Sequence, residues 1–354
     1  MPNESAERVL NPDAPLWAWA SAAVEERLEA MLRHVEGVRR GEDIEAVHDM
    51  RVGSRRLVAA MRVFAVCFPE AEYRRLLREA RGITRSLGAV RDLDVLIDHF
   101  ERHRPKASEE ERVGIDYFIA LRRRERRRAR KPMLRALDRL ERRGFAERLR
   151  RYLRDEAALY AVGLDAATLR ERSDPSAPRN PNALRPTGSF REAAPVALAA
   201  RHAALYEFEP YAHREDAVEE LHEMRIAAKW LRYTMELFAP AYADGLKRSL
   251  NRVKRIQELL GDLHDSDVRL ELLRAMTAAP LDYRGLEAIR RLRPEPVEAA
   301  VRLFLAREER ERQGCYRAFY KEWKRLEERG FRERCLERLL RPDAPSAVCS
   351  DNKD

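Results

Sequence analysis

The sequence predicts an all-α protein made of two homologous helical halves, and three observations carry that prediction. Charged residues make up 37% of the 354-residue chain, against a usual share of about 25%, and there are only 14 glycines, a composition of long charged helices rather than sheet. The stretch 47–64, VHDMRVGSRRLVAAMRVF, returns at 221–238 as LHEMRIAAKWLRYTMELF. The pairs His48/His222, Met50/Met224, Arg51/Arg225, Arg55/Lys229, Leu57/Leu231, Met61/Met235 and Phe64/Phe238 all keep one offset of 174. Finally, at about 100° per residue Met50, Leu57, Met61 and Phe64 fall on one face, with His48, Arg51, Arg55 and Arg62 as a cationic stripe beside it. One helix therefore carries a buried face and a charged face, in duplicate.

Arginine dominates the charge. Of 70 basic residues eight are lysine and 62 arginine, the group whose planar fork matches phosphate oxygens. Because 61 carboxylates nearly balance them, the net charge is only +9, so an anion site has to come from patterning rather than from bulk charge. Cys67, Cys315, Cys335 and Cys349 show no metal-ligand spacing, which fits a reducing cytoplasm and no structural metal. The N-terminus lacks a basic segment followed by an apolar one, and no apolar run approaches the roughly 20 residues of a membrane span. Each half, at 1–172 and 190–342, is long enough to bury its own core.

In order, apolar periodicity predicts a first long helix from Pro15 through Val38 to about Gly41, and the duplicated helix from about Ile44 to Cys67, stopped by Pro69. A third begins near Ala71 and carries Arg74, Arg78, Arg81 and Arg85 on one stripe. The segment LGAVRDLDVL at 87–96 recurs as LGDLHDSDVR at 260–269, at an offset of 173, and Gly88 and Gly261 read as helix boundaries. A long helix follows from about Glu110 to Leu140, with a kink expected at Pro132. Its end, LERRGF, recurs as LEERGF at 326–331. Residues 173–189, rich in proline and asparagine, read as a linker. Helices then follow at about Pro195–Phe208, Asp216–Phe238, Tyr242–Leu260, Ser266–Thr277 and Pro296–Leu340, the last interrupted near Gly314, before a disordered tail at 343–354.

A single charged stripe ordinarily marks a solvated face, so retention between the halves is the sharper test. His48, Arg51 and Arg55 stay donors as His222, Arg225 and Lys229, whereas Arg62 becomes Glu236 and Val58 becomes Arg232. Arg74 and Arg81 stay basic as Lys247 and Lys254, but Arg78 and Arg85 do not. At an offset of 186, Arg124, Lys131 and Arg135 stay basic as Arg310, Arg317 and Lys321. Such stripes can hold an extended polyanion through charge-assisted bonds without reading any base. Nucleic acid is the rival ligand, although aromatic residues do not interleave the basic segments as stacking platforms would. His48 and His222 have no nucleophile beside them in sequence, so no catalytic residue is assigned. Asp92 and Asp94, repeated as Asp265 and Asp267, have the spacing of some metal-phosphate sites, which leaves a metal-dependent phosphohydrolase as a further alternative. The structural reading is that they cap helix starts after Gly88 and Gly261 and orient nearby arginines.

The paired VHDMRVGSRR and LHEMRIAAKW helices, each followed by an LGxxRD-like or LGxxHD-like segment, resemble the conserved histidine α-helical domain, or CHAD, family over about Pro15 to Leu340. The resemblance implies two four-helix bundles related by a pseudo-twofold axis, whose basic surfaces bind inorganic polyphosphate, and for some members localisation to polyphosphate granules. Position by position it picks out His48, Arg51 and Arg55, and His222, Arg225, Lys229 and Arg232, with Val58 departing where the second repeat has Arg232. Family members are often fused to a CYTH triphosphatase domain; the repeats leave no segment for that barrel, so the expectation is noncatalytic binding, without a cofactor.

Overall fold

The computed structural model describes residues 10–41, 44–68, 71–165, 184–278 and 294–343. Among them, helices follow one another without a sheet: α1 (Leu16–Leu32), α2 (Val35–Arg40), α3 (Ile44–Val63), α4 (Ala71–His103), α5 (Glu109–Arg142) and α6 (Phe145–Ala161), then α7 (Phe190–Tyr206), α8 (Val218–Phe238), α9 (Lys247–Ala278), α10 (Pro294–Glu328) and α11 (Phe331–Leu339). In the first half α1 packs on α3, α3 on α4 and α4 on α5; in the second, α7 packs on α8, α8 on α9 and α9 on α10.

Local chemistry explains most of the boundaries. Ser108 opens α5 with a capping box: its Oγ accepts from the Glu111 amide at 3.2 Å, while its own amide donates to Glu111 Oε2 at 2.8 Å. Ser189 caps α7, accepting from the Glu192 amide at 3.1 Å. The recurring RGF turns end on Gly144 and Gly330, both with φ of +56°, a left-handed conformation that costs any other residue about 1–2 kcal/mol.

Several boundaries differ from the sequence reading. Gly88, Gly261 and Gly314 lie inside α4, α9 and α10. A lone glycine costs a helix only about 1 kcal/mol, and the buried Ile83, Leu87 and Val90 around Gly88 outweigh that. Asp92, Asp94, Asp265 and Asp267 are therefore mid-helix, and the capping role expected of them is wrong. The helix expected to run unbroken from Pro15 is interrupted at Arg33 and His34, and the break expected near Gly314 falls instead at Gly330. Pro132 sits exposed within α5 without ending it.

Pro69, most of the linker (173–183) and the tail (344–354) lie outside the described residues. The linker's end is tied down: the Leu16 amide donates to Gly188 O at 2.8 Å and the Phe190 amide to Ala14 O at 2.9 Å. Asp343, assigned to a disordered tail, is also held, its amide donating to Ala241 O at 3.1 Å and its carboxylate accepting from Arg338 at 2.9 Å.

The halves do not bury separate cores. One apolar cluster runs from Leu16 through Met50, Leu57 and Phe64 of the first half into Met224, Leu231 and Phe238 of the second. Phe64 and Phe238, aligned by the repeat, meet edge to face at 5.6 Å, a pair worth about 0.5–1.5 kcal/mol beyond its burial. α5 also meets α10, where a Cβ on Gly114 would come within 2.7 Å of Ala300 Cβ, again a pair at the repeat offset of 186. A smaller cluster joins Ile97, Phe100, Ile115 and Phe118 to Leu273, Val297, Val301 and Phe304.

Candidate functional site

Because α3 and α8 pack on each other through the apolar faces that end in Phe64 and Phe238, their cationic stripes are brought side by side. Arg51 on α3 is half-buried. Its Nη2 donates to Asp92 Oδ1 at 3.1 Å, while its buried Nε makes no hydrogen bond within the described protein. Burial holds this guanidinium below its ordinary basicity; Asp92 opposes that effect, and Arg55 and Arg91 add to it. Arg225 on α8 repeats the arrangement. Its Nε is likewise buried without a partner, and burial lowers its basicity, with Asp265 opposing and Arg55 and Arg51 reinforcing.

Lys229 is the most perturbed member. Burial first, and then Arg55, Arg225, Arg62 and Arg51, push its ammonium from an ordinary 10.5 down to about 8. The same electrostatic chain extends outward: burial, Arg81 and Arg201 lower the basicity of Arg62. Arg62 and Arg201 both lie against the Trp230 ring, at 4.5 and 5.3 Å from its centroid. Eight cations from four helices, Arg91 included, are thus crowded together, with Asp92 and Asp265 the carboxylates that act most on Arg51 and Arg225.

The histidines are placed less symmetrically. His48 is half-buried one turn before Arg51 on α3. His222 Nδ1 lies 2.9 Å from His264 Nδ1, one ring donating to the other. Burial and Arg225 push His264 down to about 4 and lower His222 as well, so the pair is neutral at pH 7. His222 also lines an open cleft of about 1160 Å³ whose other walls include Glu219, Glu223, Asp267, Glu271 and Glu309, so it stands between a cationic surface and an acidic one.

Of the other residues singled out in the sequence, Arg81 joins the cluster through Arg62. Arg232 does not: it is engaged by Glu236 at 3.0 Å and donates to Gln257 Oε1 at 2.8 Å. Arg74 stands exposed on α4 and Arg124 half-buried on α5. Lys131, Arg135, Lys247, Lys254, Arg310, Arg317 and Lys321 are exposed on α5, α9 and α10. Among the described residues no contact joins these seven to the cluster.

Three of the four aspartates orient arginines, as expected, but each on its own. Asp92 pairs with Arg51 and Asp94 with Arg126 Nε, while Asp267 accepts from Arg312 Nε at 2.6 Å. Positions i and i+2 of a helix point about 200° apart, so neither aspartate pair converges on one ion. Arg126 and Arg312 obey the same 186 offset as the retained cations, a signal sufficient to find this duplicated ion pair. Arg201 and Trp230 had no such signal, because they enter the cluster only through packing of α7 and α8 against α3.

Comparison with known proteins gives the same fold. The CHAD domain family model matches residues 22–274. Two uncharacterized proteins from two strains of Mycobacterium tuberculosis are each 31% identical over 254 residues, which is 71% of this chain and 44% of theirs, so the chain spans less than half the length of these relatives. The crystal structure of the CHAD domain from the plant Ricinus communis matches with a TM-score of 0.65 at 23% identity, over 92% of this chain and 96% of that one. PptA from Streptomyces chartreusis matches with a TM-score of 0.55 at 15% identity, over 88% of this chain and 100% of that one. Among the described residues no helix is long and apolar enough to cross a membrane.

Proposed function

The chain belongs to the CHAD domain family, and we propose that it binds inorganic polyphosphate noncatalytically through the cluster built from α3, α4, α7 and α8. The observation that carries this reading is the crowding of Arg51, Arg55, Arg62, Arg225 and Lys229 at a depth where burial and mutual repulsion lower the basicity of Arg51, Arg62, Arg225 and Lys229. Cations held so close are relieved by a ligand with many closely spaced negative charges. The matching unpartnered Nε groups of Arg51 and Arg225 offer it donors already desolvated. A hydrogen bond to a charged group contributes about 1.5–3 kcal/mol, so a few of them account for tight binding.

A polyphosphate chain repeats one phosphate unit without bases, which suits a cluster whose Trp230 ring is already engaged by two arginines. The exposed cations on α5, α9 and α10 supply flanking contacts for a long chain, and recruitment to polyphosphate granules would follow from that affinity. Hydrolysis is not part of the proposal, because Asp92, Asp94 and Asp267 are each committed to a separate arginine.

The test is binding of long-chain polyphosphate to the full chain and to a variant with Arg51, Arg55, Arg225 and Lys229 all changed to alanine. Affinity should fall by more than about 100-fold, with helicity by circular dichroism retained. Unchanged affinity would refute the site. A preference for RNA or DNA at matched phosphate concentration would refute the ligand, and magnesium-dependent phosphate release would refute the noncatalytic reading.

A further inference from the structure

Away from the cationic cluster, α4 and α10 bring together two histidines and two glutamates that the proposed function leaves unused. His99 and His103 lie one turn apart on α4, their ring centroids 4.3 Å apart, and Glu308 and Glu311 face them from α10. His99 Nε2 is 2.7 Å from Glu308 Oε1, and His103 Nε2 is 2.9 Å from Glu311 Oε1.

The protonation pattern of His103 is the informative part. Its Nδ1 is 2.8 Å from the carbonyl oxygen of His99, and because a carbonyl only accepts, Nδ1 carries the hydrogen. In the neutral ring Nε2 is then a bare lone pair facing a carboxylate oxygen, two acceptors at hydrogen-bond distance. Something positive belongs between them. A proton would make an imidazolium stacked against a second imidazole. A metal ion would instead use both rings, since one ligand atom from each of His99, His103 and Glu311 lies within 4.8 Å of the other two.

We propose that His99, His103 and Glu311 form a binding site for a zinc-class divalent transition metal that clamps α4 of the first half to α10 of the second. Two imidazoles and one carboxylate are a borderline donor set, which favours zinc over magnesium or calcium, and three protein ligands leave one position for water. The surroundings supply what such sites need. The backbone carbonyl of His99 fixes the His103 tautomer, and fully buried Glu308 orients the His99 ring while its second oxygen accepts from Arg269 Nε at 2.7 Å. Phe304 covers the His103 ring edge to face. Metal–ligand bonds of about 2.0–2.2 Å set tetrahedral donor atoms roughly 3.4 Å apart, so the His103 and Glu311 atoms, now 2.9 Å apart, part slightly to admit the ion while the His99 ring moves inward.

The experiment uses the tag-free full chain in phosphate-free buffer without polyphosphate, which itself chelates divalent cations. Equilibrium dialysis should give one zinc per chain, cobalt substitution should give the visible absorption of a tetrahedral site, and the melting temperature should rise with zinc. His103→Gln and Glu311→Gln should each weaken zinc binding by at least about tenfold with helicity unchanged. His264→Asn, which alters the separate His222/His264 pair, should leave it intact. A wild-type chain that takes up no zinc overturns the proposal. So does zinc uptake that survives His103→Gln and Glu311→Gln, or that disappears in His264→Asn.

Discussion

Positions aligned by the sequence repeat carry different electrostatics in the two halves. Glu45 and Glu219 are aligned by the repeat, as are Arg51 and Arg225, but the position that is Arg91 in α4 is His264 in α9. In the first half Arg91 pairs with Glu45 at 3.4 Å and adds a permanent charge beside Arg51. In the second, His264 turns to His222, and the pair stays neutral next to Arg225. What the halves share is of another kind: left-handed Gly144 and Gly330, the Arg126–Asp94 and Arg312–Asp267 pairs, and the facing Phe64 and Phe238. Backbone conformation and buried pairing tolerate little change, whereas a half-exposed cation can be exchanged for a titratable group without unfolding anything. The histidine pair between α4 and α10 has no duplicate, since Leu272 and Met276 occupy the positions matching His99 and His103, although Glu311 matches Glu125.

The largest expected effect tests the shared core. Phe64→Ala and Phe238→Ala should each destabilise by about 3–5 kcal/mol in urea unfolding, because both rings are fully buried. Strongly unequal losses would mean that one half carries the core. Next come the cations. Arg51→Ala with Arg55→Ala, and Arg225→Ala with Lys229→Ala, should each weaken polyphosphate binding about 10–100-fold at pH 7, with a shallower salt dependence, and an effect confined to one pair would confine the site to one half.

Lys229 then distinguishes the halves by pH. In the free protein it loses its proton from about pH 8 upward, whereas a bound polyanion holds it protonated toward its ordinary 10.5. Binding should therefore take up protons in that window and weaken as pH rises through it. Lys229→Arg should remove this dependence in calorimetry with buffers of different ionisation enthalpy. The smallest effect belongs to His264. Its folded value near 4 lies below the ordinary 6.5, so the unfolded chain binds more protons in that range and stability is lost as pH falls through it. His264→Asn should flatten this acid limb in unfolding measurements from pH 7 to 4.

Much of the site was legible in the sequence because the repeat filters charge. Arg51, Arg55, Arg225 and Lys229 are donors that survive duplication, and the structure crowds these four together. The same filter also retained Lys131, Arg317 and Lys321, which stand on outer faces, because retention of charge does not report which face of a bundle a helix turns outward. Arg232 satisfied the spacing yet is occupied by Glu236 and Gln257.

The sequence by itself determined the helical class, the duplication and the apolar faces of α3 and α8, because periodicity and composition act within a few turns of chain. The tertiary structure alone decided that Gly88 and Gly261 continue their helices, that the halves share a core, and that Arg201 and Trp230 join the cluster. Those outcomes depend on contacts between residues far apart in the chain, where burial of neighbouring side chains outweighs the local preference of a single glycine or the spacing of a single stripe.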